Sequence, residues 1–175
     1  MTADPGRVIL DEARERLVKG LPAQVIACLD LLDDGQVWWR ANENSNSIGN
    51  LVLHVCGSSR HFVGRALGGS DYVRDRPAEF AARGPIPKDD LKRLIRETAE
   101  ETGRVLDGLD PSRLMETNDR AGETFTALAL VQRTSHHWTL HTGQIVYATK
   151  MLKAGAVNEL WYKTMAPSVG GQTRR

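Results

Sequence analysis

Ile48-Gly49-Asn50-Leu51-Val52-Leu53-His54-Val55-Cys56-Gly57-Ser58-Ser59-Arg60-His61-Phe62-Val63-Gly64-Arg65-Ala66-Leu67 is the stretch on which the fold turns. Ile48, Leu51, Val52, Val55, Phe62, Val63 and Leu67 return at three- and four-residue steps, which puts an apolar stripe along one side of a helix. Gly68 and Gly69 follow at once and suit a left-handed stop. Upstream, residues 42–46 form a turn cluster of Asn, Glu and Ser, and either Asn46 or Ser47 can offer a side-chain oxygen to the first free backbone amides. The segment 48–67 is therefore expected to be a largely buried helix.

The same period appears on both sides of it. Toward the start, residues 11–19 are charged and helix-favouring, Gly20 is expected to interrupt, and Pro22 stands where a proline opens or kinks a helix. Leu21, Val25, Cys28, Leu29 and Leu32 then make an apolar face that ends near Asp33-Asp34-Gly35. Toward the end, residues 71–87 read as a long polar connection with a short helical turn near 79–82. Residues 88–109 carry Leu91, Leu94, Ile95, Thr98, Thr102, Val105, Leu106 and Leu109 on a helical period. After Asp110-Pro111 and a polar stretch with Gly122, a last helix is expected over 124–152, stopping at Lys153-Ala154-Gly155. No segment shows strand alternation. Four long helices imply an all-α, up-and-down four-helix bundle, in one domain spanning residues 1–175, with 166–175 expected to be a disordered tail.

The chain has 175 residues, enough for one packed core. Its 23 basic and 22 acidic residues leave a net charge of +1, which gives no electrostatic footprint for nucleic acid or an anionic membrane. No stretch nears the roughly 18 apolar residues of a membrane span, and the first seven residues lack the apolar centre of a signal peptide. A cytoplasmic location is expected, with small molecules or further copies of the chain as partners. Cys28 and Cys56 lie far apart in apolar runs, as reduced core thiols do. Cys56 is about 200° around the helix from His54 and is left out of any shared ligand set.

All five histidines fall in two of the expected helices: His54 and His61 in the second, His136, His137 and His141 in the fourth. His137 and His141 are four apart, so their imidazoles leave the same face and can approach one divalent ion, while His136 points about 100° away. His54 sits among Leu51, Leu53, Val55 and Val63, and a buried imidazole needs partners for both nitrogens. A metal on one and a hydrogen bond on the other would serve, and so would a single bond to a carbonyl or carboxylate.

At this point the chain resembles the DinB/YfiT-like superfamily of four-helix-bundle metalloenzymes, and within it an uncharacterised bacterial subfamily. The resemblance is carried by Trp38-Trp39-Arg40, by the run from Asn46 to His54, by Leu67-Gly68-Gly69, by Arg74-Asp75-Arg76 with Glu79-Phe80, and by His137-Trp138-Thr139-Leu140-His141-Thr142-Gly143-Gln144-Ile145. It implies a three-histidine site at His54, His137 and His141, holding a divalent transition metal such as zinc or nickel, in a bundle that is often a homodimer. Three neutral nitrogen ligands leave a tetrahedral ion one open position, the arrangement of catalytic zinc. Because the superfamily includes transferases that use low-molecular-weight thiols, the resemblance implies a thiol-dependent transferase or a metal-assisted hydrolase. The alternative is a non-catalytic small-molecule-binding module or a structural dimeric bundle.

Around that set, Gln144 lies near the ligand face, where it can hold water or substrate or simply make a helix contact. Asn50 and Ser58 flank His54 by one turn each and are candidate partners for it, and His61 is about 10 Å along the axis. Glu97, Glu100 and Glu101 could approach the metal, although a charge run there more commonly forms a solvated face. Trp38, Trp39, Trp138 and Trp161 either line a pocket or pack the core. There is no His-Glu-x-x-His and no Gly-x-Ser-x-Gly, which removes the usual zinc-protease base and the serine-nucleophile elbow.

Overall fold

The computed structural model of the chain describes residues 4–84 and 86–155; Trp161 and the tail expected beyond Met165 lie outside the described residues. Their architecture is all-helical apart from one two-residue ladder. The first helical run is α1 (Pro5–Arg14), a π-helical segment (Glu15–Gly20) and α2 (Leu21–Leu31). A short α3 (Asp34–Val37) precedes the second run, α4 (Ile48–Ser59), which continues as a π-helical segment (Arg60–Leu67). The short α5 (Arg76–Ala81), then α6 (Lys88–Gly108) and α7 (Ala127–Leu152), complete the set.

The expected helix starts and stops are largely where side-chain chemistry puts them. Ser47, not Asn46, caps α4: its hydroxyl accepts from the Asn50 amide while Asn50 Oδ1 accepts from the Ser47 amide, a reciprocal capping box. The run ends at Gly69, whose φ of 76° only a residue without Cβ adopts freely. Asp75 caps α5 through the Ala78 amide, with Pro77 in the first turn, where its missing N–H costs nothing.

Three details differ from expectation. Gly20 does not interrupt the first run: it is helical (φ −63°, ψ −60°), and the chain passes Pro22 through the widened π turns just before it. Pro22 has no N–H to give and its ring crowds the carbonyl four residues back, so a looser turn upstream accommodates it without a break. The stretch before the last helix contains a small antiparallel ladder, β1 (Thr117–Asn118) against β2 (Phe125–Thr126), closed around Gly122 at φ 90°. Finally, α7 begins at Ala127 and not at 124, because Thr126 is extended and its hydroxyl caps the Ala129 amide.

Apolar side chains from all four long runs meet in one core that includes Leu10, Leu29, Val52, Val55, Leu91, Ile95, Val131 and Ile145. Trp138 is buried there too, and its indole N–H donates to Ser59 Oγ at 2.6 Å, which leaves no unsatisfied donor on the largest core residue. What matters for the site is that α4 packs against α5, α6 and α7 together. No helix among the described residues is long and apolar enough to cross a membrane.

Candidate metal centre

The contact between α4 and α7 brings His54 to the His137–His141 pair. His54 Nε2 lies 2.9 Å from His137 Nε2, and His141 Nε2 lies 3.1 Å from the same atom. The three rings stand edge to face, with centroids 4.5 to 5.0 Å apart. They are the group of His, Cys, Asp or Glu side chains found close enough to share an ion among the described residues, every ligand atom within 4.8 Å of the others. His54 is buried; His137 and His141 are partly open.

The outer nitrogens explain which way the inner ones face. His54 Nδ1 donates to Glu79 Oε2 at 2.9 Å, and His141 Nδ1 donates to Gln144 Oε1 at 2.6 Å, since a carboxylate and an amide oxygen only accept. With Nδ1 carrying the proton in both, the two Nε2 lone pairs aim at His137 Nε2. One proton on His137 could satisfy only one of them. A divalent cation satisfies all three at once, and its tetrahedral nitrogen shell has N···N distances of about 3.3 Å. The two separations to His137, 2.9 and 3.1 Å, lie within a few tenths of an ångström of that spacing and the third pair is within 4.8 Å, so the donor set fits a transition metal.

Burial lowers the pKa of His137 to about 3, aided by the neighbouring His141 and His54 and by the charges of Arg74 and Arg133. Burial also lowers His141, partly opposed by the bond to Gln144. These rings are neutral at physiological pH, the state a metal ligand requires. For Glu79, burial pushes the carboxyl up, but hydrogen bonds from His54 and Arg74 outweigh it and hold the pKa below the ordinary carboxylate value.

Glu79 is the residue whose role the sequence did not disclose. It is 7% exposed and takes two parallel bonds from Arg74, Nε to Oε1 at 2.7 Å and Nη2 to Oε2 at 2.8 Å. Its carboxylate lies directly on α4 at Gly57, where a Cβ would come within 2.0 Å of Oε1. Asn50 fastens the same element from below, its amide donating to the carbonyls of Glu79 and Ala82 at 2.9 Å each. Asn50 thus positions His54 at one remove, through α5. Phe80, the next residue, covers the His54 ring at 4.5 Å between centroids.

Other sequence candidates sit elsewhere. Ser58 is buried but makes no hydrogen bond to the histidines; His61 bonds the Ala121 carbonyl at 3.2 Å; His136 is exposed. Glu97 and Glu100 are exposed, while Glu101 pairs with Arg60 at 3.2 Å and lies against Gly64, so none of the three joins the cluster. Trp38 packs on Gly49 and borders a surface recess of about 310 Å³ with Asp34, Arg83 and Ile86, which none of the three histidines lines. Cys56 and Cys28 are buried free thiols, and burial pushes Cys56 up to about 12.

A family profile described as "Protein of unknown function (DUF1572)" matches residues 4–164. The chain belongs to this family. DUF1572 is a DinB-like family, and the fold agrees: the crystal structure of a DinB-like protein, YjoA from Bacillus subtilis, superposes with a TM-score of 0.61 at 21% identity, covering 82% of this DUF1572 chain and 94% of that one. The likeness at that identity is one of fold. No curated protein matches the chain.

Proposed function

We propose that this DUF1572 protein is a metal-dependent enzyme whose divalent ion, zinc or nickel, is held by His54, His137 and His141. The observation that carries the reading is the convergence of three Nε2 atoms, with the Nδ1 atoms of two of the rings turned to Glu79 and Gln144. A structural site would close the fourth position with another protein ligand, and among the described residues no Cys, Asp or Glu joins the three. Bound there, the ion would acidify a thiol or water at its open position and polarise an electrophile, which supports a thiol-dependent transferase or a hydrolase.

The chain's own parts have separable tasks. His54 is the fixed ligand, clamped between Glu79 and the α4 backbone. His137 and His141 lie on the more open α7 side, from which a substrate enters, and Gln144 is exposed beside them. Phe80 and buried α4 exclude water from the other side. A homodimer is part of the proposal, supported by exposed Leu140, Tyr147 and Met151, which recur at seven and four residues along one face of α7. Sedimentation reads it out.

The test is elemental analysis of protein purified without a nickel column or chelator. One equivalent of a transition metal per chain is expected, with its loss in His54→Ala and His141→Ala. Parent protein that carries no ion and takes up none on incubation with zinc, cobalt or nickel would overturn the reading. With metal in place, turnover is then sought with thiol acceptors; metal retained without turnover, and a melting temperature that falls in His141→Ala, would support the non-catalytic alternative.

A further inference from the structure

Two arginines border the histidine cluster without an acidic partner. Arg133 is one turn before His137 on α7, so Arg133, His137 and His141 fall on one stripe at four-residue steps. Its guanidinium carbon is 5.0 Å from the Phe62 ring centre and 5.4 Å from that of Phe125, and those two rings meet edge to face. Arg76 on α5 lies 5.1 Å over Phe80, the ring that covers His54. Both arginines are exposed, and among the described residues neither makes an ion pair.

The contrast with their neighbours is informative. Arg74 is neutralised by Glu79 through two parallel bonds, and Arg60, which also lies over the Tyr72 ring at 4.7 Å, by Glu101 through a single Nε bond at 3.2 Å. Arg133 and Arg76 lie over aromatic faces with no carboxylate on them, which favours a narrow range of guanidinium positions while leaving the N–H donors unused. A guanidinium resting on an aromatic face with free donors is a receptor for a planar oxyacid. The surroundings favour an anion further, because the one carboxylate touching the cluster, Glu79, is already matched by Arg74.

We propose that the histidine centre takes a small molecule bearing a carboxylate, and that Arg133, assisted by Arg76 on the α5 side, receives this acidic group. The inference rests on the metal reading above and narrows it to substrate class. A ligand atom on the ion and a carboxylate on Arg133 would hold the molecule at two points, fixing its orientation for reaction at the histidines.

The test uses full-length protein loaded with cobalt(II), whose visible spectrum reports both the tetrahedral site and a thiolate entering it. Parent and Arg133→Gln protein are titrated with neutral 2-mercaptoethanol and with two carboxylated thiols, 3-mercaptopropionate and 6-mercaptohexanoate. Comparing the ratio of Kd values between the two proteins cancels differences in thiol acidity. At least one carboxylated thiol is expected to bind the parent roughly tenfold or more tighter than 2-mercaptoethanol, as a hydrogen-bonded charge pair provides. Arg133→Gln should remove that preference, Arg76→Gln should reduce it, and 0.5 M salt should compress it. Equal affinities in the parent would overturn the proposal, as would a preference that survives in Arg133→Gln, since the carboxylate would then be meeting the metal. A parent that gives no tetrahedral cobalt spectrum would instead sink the metal reading, and this inference with it.

Discussion

The two halves of the histidine cluster are built in opposite ways. On the α7 side, His137, His141 and Gln144 come from eight consecutive residues of one helix, and the bond that orients His141 spans three residues. On the α4 side, His54 is held by Glu79 from 25 residues away, Glu79 by Arg74, and the whole of α5 by Asn50. One half is local and partly solvated; the other is assembled by packing and buried. Local geometry survives small perturbations, whereas a buried ion-pair network fails as a unit when one partner is displaced. The α4 side should therefore be the fragile half.

The sharpest way to break the comparison is Gly57→Ala. In an ordinary helix interior this change stabilises by removing backbone entropy. Here the new Cβ would stand 2.0 Å from Glu79 Oε1 and 2.9 Å from its Cδ, so the carboxylate must leave His54. A loss of about 1–3 kcal/mol in folding stability is expected from overpacking, together with a 10–100-fold weaker metal affinity from the loss of the outer partner. Chemical denaturation and a chelator-competition titration read the two effects. A methyl group tolerated with no change in either would mean that Glu79 does not hold His54 in solution.

How much of this could be read from sequence follows the same division. The four long runs were legible because each buries a stripe large enough to set a 3.6-residue period, and His137 with His141 because four residues is one helical turn. His54 showed as an imidazole among apolar neighbours. Glu79 did not show, since it lies in a connection whose path depends on where α5 docks, and no local period encodes that. The available signal was Gly57, a glycine in a buried helix three residues after His54, which needs a reason for giving up helical stability. The π-helical segments were equally hidden: they differ from α-helix by one step of hydrogen-bond register, with the same apolar stripe.

A second, smaller effect should come from pH in the metal-free protein. The unfolded chain protonates its histidines near 6.5, whereas folded His137 resists until about 3, because burial and its neighbours disfavour the cation. Below 6.5 the unfolded state thus binds a proton that the native state does not, so stability falls as pH drops from 6.5 toward 3 and is unaffected by this group above 6.5. His141 acts in the same direction. Melting temperatures of the apoprotein should decline through this window, and in His137→Ala the decline should be shallower. An equally steep decline in that variant would place the acid sensitivity elsewhere, most directly in Glu79, whose lowered pKa contributes stability that is present above its unfolded value and lost as pH falls from there through its folded one.

The smallest expected effect, that of removing Gln144, bears most directly on the asymmetry when set beside the loss of Glu79. Gln144 and Glu79 do the same job for His141 and His54, each accepting from Nδ1 and leaving Nε2 for the shared centre. Glu79 is charged, buried and itself held by Arg74; Gln144 is neutral and exposed. In Gln144→Ala, water can accept the hydrogen bond from His141 Nδ1 with little rearrangement, and the i, i+4 geometry of α7 still presents both imidazoles. In Glu79→Gln the charge that matches Arg74 is gone, although the shape is kept, leaving a buried cation unpaired beside His54. Metal affinity should accordingly fall only a few-fold in the first variant and by about 10–100-fold in the second, measured side by side by chelator competition. Equal losses would show that both halves depend on their outer hydrogen bond alike, and that the buried network around Glu79 serves the packing of α5 more than the ligand it touches.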